Sequence, residues 1–205
     1  MRIQGIEVRI VDLSRTLYPG KEDRRLEIRR GIIPSDDTIM HEVDTMSHLG
    51  THVEAPSHFY EDGKDVVDVP LESFLGRAVI LDIHDPVMTT AVLDKADGGR
   101  TKPGDMILIR NRLSPEKTFL GVEAARWLAA KKIKLLGFDL SLTTGQDKAI
   151  TREVHDILMG PGVVLLEQLD NLDKISKSEC FLFAAPLKIK GLDSSPVRAF
   201  AVELP

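Results

Sequence analysis

Short runs of branched apolar residues, each bounded by a turn signal, limit what this chain can fold into. Residues 78–83 (A-V-I-L-D-I), 106–110 (M-I-L-I-R), 135–139 (L-L-G-F-D) and 163–166 (V-V-L-L) are near-continuous apolar runs of strand length. Pro103-Gly104-Asp105 leads into the second run and Gly160-Pro161-Gly162 into the fourth. Residues 8–13, 181–185 and 197–202 read as further strands. One helix is clear, over 121–132. There Val122, Ala125, Leu128 and Ala129 recur at helical spacing, and Lys131 and Lys132 complement the C-terminal dipole. A shorter helix is expected from Thr151, as its N-cap, through Met159. Buried strands with two or three helices between them predict one compact α/β domain with a mixed sheet, spanning 1–205.

The charge balance narrows the partners. The 205 residues carry 27 Lys+Arg against 32 Asp+Glu, a net charge of −5. That lacks the basic surplus on which nucleic-acid and membrane-surface binding rest, so neither partner is expected. No apolar run approaches the roughly 20 residues of a bilayer span. The alternating, charged N-terminus lacks the apolar core of a secretory signal. The single cysteine, Cys180, excludes an internal disulfide, and a cytoplasmic location is expected. It enters an apolar segment and reads as a small buried hydrophobe. Trp127 reads as packing, and the mixed-charge run 21–30 as a solvated loop or edge-strand face.

The chemistry concentrates in H-L-G-T-H-V-E-A-P-S-H, residues 48–58, which holds three of the six histidines. His48 and His52 have the i,i+4 spacing of a helical metal pair, but Gly50, Thr51, Val53 and Pro56 oppose a helix. On an unbroken extended chain His48, His52, Glu54 and His58 share one parity and point to one side. Imidazoles with a carboxylate suit Zn²⁺, Mn²⁺ or Fe²⁺. Gly50 lets the backbone pass close to a metal or substrate. His41 and His84 read as structural or surface residues. Asp12, Asp44 and Asp139 are candidates to support the ligands from behind. Tyr18, Phe59, Tyr60 and Phe138 are the aromatics available to line a pocket. There is no G-x-S-x-G elbow, P-loop or dinucleotide fingerprint.

Residues 48–59 resemble the H-x-G-T-H-x-D-x-P-x-H signature of the metal-dependent cyclase family, which includes bacterial kynurenine formamidase (arylformamidase) and isatin hydrolase. The likeness extends through V-D-L-S-R-T-L-Y-P-G (11–20), G-K-D-V-V-D-V-P (63–70), L-L-G-F-D (135–139), V-H-D-I-L-M (154–159), V-V-L-L-E-Q-L-D-N-L (163–172) and S-S-P-V-R-A (194–199). It implies a swivelling β/β/α fold, usually oligomeric, so a homodimer or homotetramer is expected. It also implies one or two divalent ions, Zn or Mn. His48, His52, Glu54, His155 and Glu167 fall on metal-ligand positions, His58 on the catalytic acid/base, and Tyr18 on a substrate-contacting position. Two positions depart from the pattern: Glu54 replaces a bridging Asp, and Tyr18 replaces a Trp.

The resemblance implies hydrolysis of an amide C–N bond in a small-molecule substrate by metal-activated water, with His58 moving the proton and N-formylkynurenine as the leading substrate. A second reading keeps the site and changes the reaction to a lactam or lactone hydrolase, a dehydratase or a cyclase. A third is a metal-binding module without turnover.

Overall fold

The computed structural model describes residues 2–3, 5–113 and 116–205. Eleven strands carry the architecture: β1 (Arg9–Asp12), β2 (Leu26–Ile33), β3 (Thr38–Thr45), β4 (His52–Glu54), β5 (Leu75–Ile83), β6 (Met106–Asn111), β7 (Leu135–Asp139), β8 (Val164–Leu169), β9 (Glu179–Phe183), β10 (Ser194–Pro196) and β11 (Phe200–Glu203). Three α-helices are present among the described residues: α1 (Thr90–Asp97), α2 (Val122–Ala130) and α3 (Lys148–Met159).

Nine strands form one mixed sheet in the order β10-β4-β8-β7-β6-β5-β9-β11-β1. The central four, β8, β7, β6 and β5, are parallel. Strands β4 and β10 join antiparallel on one side, and β9, β11 and β1 on the other. The parallel strands are the runs without alternation, because both faces of the sheet are buried there.

Each face has its own core. Ala78, Ile80, Leu108, Leu135, Leu166, Leu182 and Ala201 point to a face that carries no α-helix. The sheet curls over that face. The Asp170 N–H at the end of β8 donates to the Leu13 carbonyl just past β1 (2.9 Å), although β1 is the far edge strand. The opposite face packs Leu81, Ile107, Leu136 and Leu165 against Leu93, Leu128, Val154 and Leu158 of the three helices. Each fully buried Leu or Ile contributes about 1.5–3 kcal/mol. Trp127 is buried there with its Nε1–H donated to Asp94 (2.8 Å), a packing role as expected.

Several boundaries differ from the sequence reading. Thr151 is not the cap of α3. Asp147 is, because its carboxylate accepts from the N–H groups of Ala149 and Ile150 (both 2.9 Å), a geometry three residues ahead of the apolar repeat. Thr151 lies inside the helix, its hydroxyl donating to the Thr144 carbonyl (2.7 Å). Strand β8 continues past Leu166, so Glu167 lies within the strand rather than at its end. The predicted strand over 197–202 starts late: only Phe200–Glu203 is strand, paired with β9, while a separate strand absent from the sequence reading, Ser194–Pro196, pairs with β4. Cys180 sits inside β9, buried, its thiol pushed up to about 12 by burial.

The charged run 21–30 enters a separate hairpin, β2–β3. Its register places Ile28, Ile32, Ile39 and Val43 on one face, each about half exposed or more, and Glu27, Arg29, Glu42 and Asp44 on the other.

Candidate metal centre

The site forms where the β4–β8 side of the sheet meets α3. The antiparallel register sets Glu167 opposite His52 and Leu165 opposite Glu54. Leu165 belongs to the helix-side core, so His52, Glu54 and Glu167 share the face that α3 covers. α3 adds His155, buried four residues after Thr151, whose carbonyl accepts from His155 Nδ1 (2.6 Å). A bulge between β7 and β8 falls at Glu167–Gln168, and Gln168 takes φ +56°. This bend turns the end of β8 toward the loop 14–25. There Gln168 Oε1 accepts from Arg15 (2.6 Å), and the Gln168 carbonyl accepts from Thr51 Oγ1 (2.8 Å).

The histidine segment follows no single periodicity. Gly50 takes φ +58° between His48 and β4, and residues 56–58 form a 3-10 turn. The parity argument therefore holds for His52 and Glu54 on β4 and fails for His48 and His58, which the two bends bring in from either side. The ring centroids of His48 lie 5.2 Å from His52 and 4.2 Å from His58.

Glu54 is the hub. Its Oε1 lies 2.9 Å from His48 Nδ1, 3.6 Å from His52 Nε2 and 4.0 Å from His58 Nε2. Its Oε2 lies 4.0 Å from His155 Nε2, is fully buried and has no hydrogen-bond partner. Two sets of three donors share this carboxylate, His48–His52–Glu54 and Glu54–His155–Glu167, each with its atoms within 4.8 Å of one another. A third set, His48–His58–Asp193, adjoins them.

These residues fit a divalent cation on three observations. The Glu54 Oε2 orphan is a buried acceptor without a donor. His52 and His155 both give their Nδ1–H to backbone carbonyls, of Gly50 (2.7 Å) and Thr151, which leaves each Nε2 lone pair facing Glu54. Glu167 and Glu54 crowd one buried space. Burial first, then the Glu54 charge, pushes the Glu167 carboxyl up to about 8. Burial also opposes ionisation of Glu54, but the His48 and His52 imidazoles hold its carboxyl far below the usual range. Burial lowers His155; for His48 it is outweighed by Glu54 and Asp193, which raise it. The set of N and O donors suits Zn²⁺ or Mn²⁺.

Around the donors, Phe59 stacks on His155 (centroids 4.2 Å, 22°) and meets His58 edge-on (4.8 Å). Tyr60 donates its hydroxyl to Asp156 (2.8 Å) on the outer side of α3. Phe138 is buried in the helix-side core and lines no pocket here. Tyr18 is 56% exposed on the loop that covers the Gly50 bend, its ring facing Lys21 Nζ at 5.7 Å. The same loop reaches the site through Leu17, which packs on Gly50, and Arg24, which donates to the His48 carbonyl. Of the supporting acids expected, Asp12 pairs with Arg198, Asp44 with Arg25 and Asp139 with Ser141. His41 and His84 are exposed. The residue missed is Asp193, which binds His48 and His58 together. Its only sequence trace is the turn G-L-D-S-S-P before the closing strands, 140 residues or so downstream of the histidines it serves.

A buried cluster of imidazoles and carboxylates on a curled mixed sheet defines a candidate divalent-metal centre. The family model described as "Putative cyclase" matches residues 11–143. A kynurenine formamidase of Bacillus cytotoxicus is 32% identical over 164 residues, covering 76% of each chain. One of Erythrobacter litoralis is 29% identical over 210 residues, covering 96% of this chain and 95% of the relative. Among solved structures, isatin hydrolase A of Labrenzia aggregata, bound to benzyl benzoate, superposes with a TM-score of 0.81 at 27% identity, covering 97% and 94% of the two chains. A potential metal-dependent hydrolase with cyclase activity gives 0.78 at 25% identity, covering 97% and 100%. The chain belongs to the cyclase family, and the fold is the one that family shares.

Proposed function

We propose that this protein hydrolyses the C–N bond of a small formamide or cyclic amide, with N-formylkynurenine the first substrate to test. The observation that carries the reading is Glu54, shared by two three-donor sets, with the free Nε2 of His58 4.0 Å from its Oε1. The formamidase and isatin hydrolase relatives support the choice of an amide. His48, His52 and Glu54 would hold one divalent ion, and Glu54, His155 and Glu167 a second. A divalent ion in such a site supplies Lewis acidity, polarising an acyl oxygen and making nearby water more acidic.

The chain's own residues supply the rest. His58 Nε2 takes a proton from the attacking water and delivers it to the departing nitrogen. The water oxygen joins the acyl carbon, the C–N bond breaks, and the products are an amine and a carboxylic acid whose remaining proton passes to solvent, joined in one molecule when the substrate is cyclic. Phe59 walls the donor cluster beside His58 and His155 and excludes water from that side. Tyr18, exposed on the loop that packs against the Gly50 bend, is the ring proposed to meet the substrate.

The protein is proposed to work in the cytoplasm. No helix among the described residues is long and apolar enough to cross a membrane. It is also proposed to act as a homo-oligomer, a reading supported by the exposed Ile28, Ile32, Ile39 and Val43 on one face of the β2–β3 hairpin, which the Arg30–His41 pair shares.

The test is hydrolysis of N-formylkynurenine by protein reconstituted with Zn²⁺ or Mn²⁺, beside a chelated control. Metal-dependent release of kynurenine is expected. A metal-loaded protein inactive on this substrate but active on isatin moves the assignment to cyclic amides. Inactivity on all amides offered, with metal bound, overturns the amide reading.

A further inference from the structure

We infer that Asp193 is a positioning residue that fixes the tautomer and direction of His58; the inference rests on His58 as the proton-transferring group. Asp193 Oδ2 accepts from His58 Nδ1 (2.9 Å) and from His48 Nε2 (2.7 Å), and Oδ1 accepts from Ser47 Oγ (3.1 Å). The carboxylate is thus held by three donors.

The backbone holds it as firmly. The Asp193 carbonyl accepts from the Ala55 N–H (2.8 Å), and the Ser194 hydroxyl donates to the Ser47 carbonyl (3.1 Å). These bonds tie the turn before β10 to both ends of the histidine segment. Asp193 therefore reads the positions of His48 and His58 at once.

The consequence lies in the ring of His58. That side chain is one-third exposed on a 3-10 turn and is packed on one side by the His48 ring (4.2 Å), which does not fix which of its nitrogens carries the proton. Phe59 touches only its edge. A carboxylate on Nδ1 keeps the proton there, points the ring inward and leaves Nε2 bare toward the donor cluster. Without that bond the ring rotates freely and divides between tautomers, only one of which presents a base. Asp193 itself reaches none of the reacting atoms in this arrangement; it acts through His58.

The experiment is nitrogen-detected NMR of the histidine rings in the Zn²⁺-loaded protein at pH 8, with His58 assigned by its loss in His58→Ala. The expected wild-type state is a neutral ring with its proton on Nδ1, and a tautomer mixture in Asp193→Asn. A wild-type proton on Nε2, or an unchanged tautomer in Asp193→Asn, overturns the inference. Kinetics give a second readout. Assayed at saturating Zn²⁺, because the change also alters the support of His48, Asp193→Asn should lower kcat about 10–100-fold with KM within a few-fold. In a His58→Ala background the same change should cost less than twofold. An equal cost in both backgrounds places Asp193 outside the His58 role and overturns the inference. If wild type turns over no amide, the functional reading fails while the ring spectra still decide Asp193. If Asp193→Asn does not fold, the wild-type spectrum alone decides.

Discussion

His52 donates its Nδ1–H to the carbonyl of Gly50 at 2.7 Å, so a residue two places back decides which imidazole nitrogen faces the metal pocket. Gly50 holds that carbonyl in place with φ +58°, a left-handed conformation that costs an L-residue about 1–2 kcal/mol. A Cβ there would also stand 2.5 Å from Leu17 Cδ2. Gly50→Ala should therefore lower the melting temperature and weaken Zn²⁺ binding about 10–100-fold, the usual cost of disturbing a ligand's supporting bond. Chelator competition measures the affinity. Wild-type affinity in this variant would remove the Gly50 carbonyl from any role in orienting His52.

Glu54 belongs to two of the three-donor sets and Glu167 to one. Metal content should follow that asymmetry. Wild type is expected to hold two ions per chain after reconstitution and desalting, Glu167→Gln about one, and Glu54→Gln less than one. Elemental analysis of the desalted proteins gives the counts. Glu54→Gln with wild-type content would show that the two sets do not share this carboxylate.

Much of this arrangement is legible in the sequence, for physical reasons that also mark the limits. The parallel strands are buried on both faces, so β6 and β7 show as plain apolar runs with bounds close to those observed. His48, His52 and Glu54 are legible because local chain brings them together. His155 and Glu167 come from α3 and β8, and only the family pattern ties them to the segment 48–58. Asp193 arrives through the β4–β10 pairing, a long-range contact with no periodic signature. The N-cap of α3 was misplaced because Thr151 has capping chemistry but lies on the helix, where its hydroxyl bonds the Thr144 carbonyl instead. The alternation of the histidine segment is cut at Gly50, which takes φ +58°, and at Pro56, which opens the 3-10 turn 56–58 at a first position where its missing N–H costs nothing.

The raised Glu167 carboxyl fixes the sign of a pH effect in the metal-free protein. A carboxyl whose folded pKa is above its unfolded value keeps its proton in the folded chain after the unfolded chain has lost it. Folding stability then falls as pH rises from the ordinary carboxylate range, 4.5, to about 8. His48, raised by Glu54 and Asp193, adds a loss in the same direction above 6.5, and His155, lowered by burial, opposes it. Glu54 and Asp193, both held low, are already ionised throughout this range. The chelated protein should therefore melt at a lower temperature at pH 8 than at pH 5.5. Glu167→Gln should show a clearly smaller drop, and saturating Zn²⁺ should raise the wild-type value most at pH 8. Parallel melting curves for wild type and Glu167→Gln across this range would rule out Glu167 as the source.

His58 separates metal binding from turnover. It lies outside the two Glu54-centred donor sets, and its Nε2 is 4.0 Å from Glu54 Oε1, the longest of the three approaches to that oxygen. Its Nδ1 is committed to Asp193. One nitrogen is thus anchored and the other faces the donors, the arrangement a proton carrier needs. Removing it leaves both three-donor sets intact. His58→Ala should therefore bind its full complement of metal, fold with wild-type stability to within about 1 kcal/mol, as substitutions of partly exposed side chains usually do, and lose about 10²–10⁴-fold in kcat. Metal analysis and steady-state kinetics on the same preparation make the comparison. Loss of metal along with activity would move His58 into the ligand set with His48 and Asp193. Full activity with full metal would assign the proton transfer to another group.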